Sequence, residues 1–128
     1  MASTVARTAI PGTRITRLFG CQVPIVLPGM SWISTPELVA SVSNAGGVGI
    51  LATGPLKAEE TRASIQRIRE LAPGKPFGIG ATLLMPGANE NAQVALEEKV
   101  PIVNVSLGKA DWIADGLARY GGKMLATV

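Results

Sequence analysis

Histidine is absent from all 128 residues, and cysteine occurs once, at Cys21. Without imidazole there is no Ser–His or Cys–His nucleophile pair, no histidine general base and no histidine-ligated metal. A single thiol excludes an internal disulfide and a thiolate metal cluster, and it fits a reducing compartment such as the cytoplasm. Cys21 lies next to an apolar strand and is expected to be a small buried hydrophobe. Aromatic residues are few and scattered: two Trp, one Tyr and two Phe. Stacking platforms for a nucleic acid are therefore missing, even though 12 basic against 9 acidic residues leave a net charge of +3. No apolar run reaches the ~18 to 20 residues of a membrane span. The stretch Val23 to Met30 is broken by Pro24 and Pro28.

Acidic residues are missing from the first part of the chain, where Arg7, Arg14 and Arg17 precede the first acid, Glu37. A Ser-, Thr- and Arg-rich start of this kind has the composition of a transit peptide and equally of a short disordered lead-in, expected over residues 1–17. No apolar segment follows Arg7, which argues against a secretory signal.

What is present is a globular core: 47% of residues are hydrophobic and 16% charged. From residue 18 to residue 128 two textures alternate. Apolar, β-branched runs at Val23–Leu27, Val48–Ala52, Phe77–Leu83, Val100–Val105 and Lys123–Val128 read as strands buried on both faces, as parallel strands are. Between them, Thr35-Pro36-Glu37 starts a helix that Gly46-Gly47 ends, and Ala58 to Leu71, Asn89 to Lys99 and Ala110 to Tyr120 carry helical periodicity. Strand starts near 23, 48, 77, 100 and 123 are 23 to 29 residues apart, the size of a βαβ unit with a right-handed crossover. Five parallel strands alternating with four helices fit an open doubly wound sheet or part of a (β/α)8 barrel, which needs roughly 250 residues. The sequence stops on an apolar strand at Val128, where an intact domain more often ends in a helix or tail, so a truncated barrel is expected.

In a parallel α/β sheet the functional groups gather beyond the C-terminal ends of the strands. Those loops are Pro28–Trp32, Thr53-Gly54-Pro55, Leu84–Gly87 and Ser106–Lys109. They are rich in Gly, Pro and Met, and Lys109 is their only ionisable residue. They can present backbone N–H and C=O groups to a flat ligand, and they hold no acid–base pair. Lys109 near a helix start is either an anion contact or a solvated surface lysine. Gly46-Gly47-Val48-Gly49 precedes a strand, whereas a dinucleotide fingerprint follows a strand and opens a helix, so no NAD site is read there. No phosphate-cradling loop ending in Gly-Lys-Ser/Thr occurs.

The segment Val23-Pro24-Ile25-Val26-Leu27-Pro28-Gly29-Met30, followed by Ser34-Thr35-Pro36-Glu37-Leu38 through Ala45-Gly46-Gly47-Val48-Gly49, resembles the opening of nitronate monooxygenases, formerly 2-nitropropane dioxygenases. Lys75-Pro76-Phe77-Gly78, Leu84-Met85-Pro86, the run from Glu98 to Lys109 and Tyr120-Gly121-Gly122-Lys123 to Val128 extend the resemblance over residues 18–128. FMN-dependent enoyl-acyl carrier protein reductases share the pattern. The resemblance implies the N-terminal half of a (β/α)8 TIM barrel, FMN as cofactor and an alkyl nitronate or nitroalkane as small-molecule substrate. It also implies that Pro28, Gly29 and Met30 stand where relatives contact the isoalloxazine through backbone. Gly80 takes the place of an asparagine that reaches the flavin in relatives, and Thr127 falls where they line the flavin cavity. Relatives place the catalytic histidine after their sixth strand and the phosphate loops after the seventh and eighth, positions that would follow Val128. The alternatives are an enoyl-acyl carrier protein reductase-like protein and a non-catalytic half-barrel whose open strand edges drive self-association.

Overall fold

The computed structural model describes residues 12–128. In chain order its elements are α1 (Arg14–Phe19), β1 (Val26–Leu27), α2 (Pro36–Asn44), β2 (Val48–Ala52), α3 (Ala58–Leu71), β3 (Phe77–Thr82), α4 (Ala88–Glu97), β4 (Ile102–Ser106), α5 (Asp111–Ala118) and β5 (Lys123–Thr127). The strands form one parallel sheet in the order β1-β2-β3-β4-β5. Each of α2 to α5 crosses between neighbouring strands. This sequential winding makes the expected N-terminal half of a (β/α)8 barrel rather than a doubly wound sheet, whose strand order reverses part-way.

Local chemistry sets the helices. At α2, the Thr35 hydroxyl accepts the Leu38 N–H at 3.4 Å, Pro36 occupies the first turn and Glu37 faces the positive end of the helix dipole. Helix α3 spans the residues its periodicity predicts and buries Thr61, Ile65 and Ile68. Its polar side is tied to α4 by Arg62, which pairs with Glu97 at 2.6 Å and Glu98 at 2.5 Å. The hydrogen bond from Arg62, joined by one from Gln93, holds the Glu97 carboxyl below its ordinary range. Arg69 reaches Glu98 as well and stacks over the Phe77 ring.

Alternate strand residues divide the sheet into two faces. Leu51, Phe77, Ile79, Ala81, Val103 and Val105 turn toward the helices and join Val39, Ile65, Ile68, Val94, Ile113 and Leu117 in the main core. On the opposite, concave face Val48, Ile50 and Ile102 form a second cluster with Phe19. The sequence Gly46-Gly47-Val48-Gly49 has a packing explanation. Gly46 has φ +104°, and a Cβ on Gly49 would lie 2.6 Å from the Val39 carbonyl oxygen, so α2 rests directly on β2.

Four expectations require correction. Helix α1 lies partly inside residues 1–17, which the sequence reads as a lead-in; residues 1–11 of that segment fall outside the described residues. Six residues are too few for periodicity to register, and a reciprocal cap between Thr13 and Thr16 and a left-handed Gly20 set the ends instead. The first strand shrinks to Val26–Leu27, because Pro24 has no N–H and Ile25 donates back to Val23. The fifth strand is not buried on both faces: four of its five residues are exposed at the sheet edge. Cys21 is only partly buried, against the concave cluster.

Candidate functional site

The first loop at the C-terminal rim is held by a buried serine. Ser34, 2% exposed, donates its hydroxyl to the Pro28 carbonyl at 2.6 Å and accepts the Met30 N–H at 3.0 Å. The N–H groups of Ile33 and Ser34 both return to the Met30 carbonyl. This closed turn holds Trp32 at φ +61°, a strained conformation for a bulky residue, and leaves the residue 82% exposed at the rim.

The second loop is fixed from below. Asn91 of α4, 1% exposed, donates its side-chain amide to the carbonyls of Thr53 and Leu56 and accepts the Thr61 hydroxyl at 2.8 Å. Thr53 in turn donates its hydroxyl to the Gly80 carbonyl on β3. Each buried polar group in this chain of contacts has a partner, as a low-dielectric environment requires.

Between the two loops lies a cavity of about 360 Å³ lined by Gly29, Ser31, Trp32, Ala52, Thr53, Gly54, Pro55, Gly80, Thr82 and Met85. Its floor is backbone and small side chains. A Cβ built on Gly80 would lie 3.5 Å from the Leu51 carbonyl oxygen, 3.7 Å from Ile50 Cγ2 and 4.0 Å from the Gly29 Cα, so the two glycines face each other above Ile50. Leu84, 75% exposed, and Leu107, 62% exposed, add apolar surface along the rim. Lys109 is exposed on the loop after β4 and makes no ion pair among the described residues.

Of the residues singled out in the sequence, Gly29 and Gly80 meet in this cavity, and Pro28 and Met30 flank Gly29 under the control of Ser34. Thr127 lies outside it, farther along the same concave rim. Register aligns Thr82 with Ser106 and Ser106 with Thr127, while Gly80 aligns with Asn104 and Asn104 with Leu125. The Thr127 hydroxyl donates to the Asn104 side-chain oxygen at 3.1 Å. The upper concave face is thus a polar row where the lower part is apolar.

The sequence patterns do not single out Ser34, Asn91 or Asn104 as site residues, and they mark Thr53 only as part of a rim loop. Two of them carry a signal: Asn91 occupies the core-facing stripe of α4 among Ala88, Ala92 and Ala95, and Asn104 interrupts the apolar run of β4. A polar residue in an apolar register marks a partner to be found.

The nitronate monooxygenase family model matches residues 12–119. A nitronate monooxygenase from Pseudomonas aeruginosa is 44% identical over 80 residues, covering 62% of this chain and 22% of that protein. A Rhodococcus jostii protein named as a hydroxy-methyl-oxo-octahydro-indene-carboxyl-CoA dehydrogenase is 35% identical over 95 residues, covering 74% of this chain and 27% of that protein. Among solved structures, FabK from Thermotoga maritima superposes with a TM-score of 0.86 at 37% identity, covering 93% of this chain and 38% of that one. A nitroalkane oxidase from Streptomyces ansochromogenes gives 0.78 at 28% identity, covering 89% and 42%. The chain therefore spans about a quarter of the curated relatives and about two fifths of the solved ones. With a half-barrel fold, a glycine-floored rim and a family model covering most of its length, the chain belongs to the nitronate monooxygenase family.

Proposed function

We propose that the rim cavity is one wall of an FMN site in an oxidoreductase that acts on alkyl nitronates. The observation that carries this reading is the meeting of Gly29 and Gly80 in a cavity of about 360 Å³, where two glycines leave room for a planar ring to approach the backbone. Pro28, Gly29, Met30, Gly80 and Thr127 are the proposed flavin-facing positions. FMN held there would supply the redox chemistry, oxidation of the nitronate with oxygen as the final electron acceptor.

The chain's own residues bind and orient. Ser34 fixes the Pro28–Met30 backbone, Asn91 fixes the Thr53–Leu56 turn, and Thr53 fixes the Gly80 carbonyl. Trp32, Leu84 and Met85 are apolar rim groups suited to excluding water over the ring. No group among these residues is suited to proton transfer.

A second reading, FMN-dependent reduction of an enoyl-acyl carrier protein, is supported by the likeness to FabK, which exceeds the likeness to nitroalkane oxidase in both identity and TM-score. The two readings separate when the purified chain is mixed with FMN, passed over a sizing column and assayed. Flavin absorbance should co-elute with the protein; turnover of an alkyl nitronate with oxygen favours the first reading, and reduced-nicotinamide-dependent saturation of an enoyl thioester the second. A flavin-free protein peak would refute both. The same elution volume tests self-association, which the exposed β5 edge supports.

A further inference from the structure

At the level of Gly80, β3 has no side chain on the concave face, and the space this opens adjoins a polar group on the next strand. Asn104 is the register partner of Gly80, so their side-chain positions share that face. The orientation of its amide is set: the side-chain oxygen accepts the Thr127 hydroxyl at 3.1 Å, and the NH₂ has no partner among the described residues. Thr127 is itself placed by register, two residues along β5 from Leu125, which faces Asn104. An oriented amide donor beside a bare glycine, near a cavity whose other side-chain polar groups are hydroxyls, is suited to a ring carbonyl or ring nitrogen of a planar heterocycle.

We propose that Asn104, positioned by Thr127, donates a hydrogen bond to an acceptor on the polar edge of the flavin ring, the contact that Gly80 cannot make. This rests on the flavin reading above. Thr127 then acts through Asn104 and is a positioning residue, whereas Asn104 is the binding residue. Neither residue is part of the main core, so both can be altered with little effect on folding.

The test is a fluorescence titration of the purified chain with FMN and with lumiflavin, which carries the ring system without the phosphate. Removing one uncharged hydrogen bond of about 1 kcal/mol corresponds to roughly a 5-fold change in affinity. Asn104→Ala should weaken both probes by about that factor, and Asn104→Asp by at least as much, because a carboxylate cannot donate. Thr127→Val should weaken them less. Asn104→Gln, which keeps an amide donor, should retain more affinity than Asn104→Asp. The absorption bands of bound flavin should shift in Asn104→Ala and return part-way in Asn104→Gln, a response that a merely structural role would not give. Wild-type binding with unchanged affinity in Asn104→Ala overturns this inference and leaves the flavin reading intact, as does an Asn104→Asp variant that binds as tightly as the wild type. Failure of the wild-type chain to bind either probe overturns both.

Discussion

On β3, Phe77, Ile79 and Ala81 enter the helix layer and are buried, whereas Gly78, Gly80 and Thr82, one residue farther on each time, face the concave side. The same alternation on β4 sends Val103 and Val105 outward to the helices and leaves Ile102, Asn104 and Ser106 on the inside. The convex face is apolar along its whole length. The concave face changes character with height: Phe19, Val48, Ile50 and Ile102 close it at the bottom, and glycine, hydroxyl and amide groups occupy the top. A parallel strand therefore carries two assignments, stability on one set of side chains and ligand contact on part of the other. A residue can be changed for one purpose only if its height and face are known.

The sharpest contrast is expected from Ile79→Ala, on the convex face at 0% exposure. It should cost about 2–5 kcal/mol in a urea titration, through lost transfer energy and the cavity left behind. A cost below about 1 kcal/mol would mean that the helix layer is not where stability resides. Asn91→Ala comes next, at about 1–3 kcal/mol, because it strands the Thr53 and Leu56 carbonyls and the Thr61 hydroxyl in the interior. It should also weaken flavin binding, because the Thr53 loop is released.

Two glycines on the concave face give a controlled pair. A Cβ on Gly78 would lie 2.7 Å from Ile50 Cδ1 and 2.8 Å from the Ile102 carbonyl, whereas one on Gly80 meets nothing nearer than 3.5 Å. Gly78→Ala should therefore destabilise by about 1–3 kcal/mol. Gly80→Ala should stay within about 0.5 kcal/mol of wild type in thermal melts. Equal effects would remove the distinction between a packed lower layer and an open upper one.

The smallest effects lie on the solvated side of the helices. Glu97 has a folded-state pKa below its ordinary 4.5, caused first by the hydrogen bond from Arg62. Its contribution to stability is thus present above that ordinary value and is lost as pH falls through the lower folded value. Arg62→Met should lower the melting temperature slightly at neutral pH, and the difference from wild type should close in acid. Tyr120 gives the opposite sign: burial pushes its pKa up to about 12, while its hydroxyl donates to the Val100 carbonyl at 2.8 Å. Its contribution is present below the ordinary value of 10 and is lost as pH rises toward 12. A Tyr120→Phe variant should differ less from wild type at the alkaline end of a pH series than at neutrality.

Much of the architecture is legible in the residues. Helix α3 has the predicted bounds because fourteen residues allow the apolar stripe to repeat several times. The unit spacing near 25 residues fixes parallel strands, since a crossover helix needs that length of chain. Helix α1 has six residues and no repeating stripe, so only its caps and the burial of Phe19 under the sheet declare it. The first strand reads as five residues from its letters and forms two, because Pro24 and the turn at Ile25 remove the ladder. At the site, Gly29 just past β1 and Gly80 inside β3 are conspicuous as small residues, whereas Ser34 ties an irregular turn four and six residues before it and leaves no periodic trace, and Asn91 shows only as a polar residue in an apolar stripe whose partners lie 35 and 38 residues away.

The amino-acid order alone settled the class of fold, since hydrophobic period and crossover length are local properties of the chain. It also settled that histidine and disulfide chemistry are absent from these 128 residues. Which side chains share a face, and at what height, was decided by strand register in three dimensions. Register alone sets Asn104 beside Gly80 and within reach of Thr127, 23 residues away in sequence, because parallel strands bring together residues separated by an entire helix.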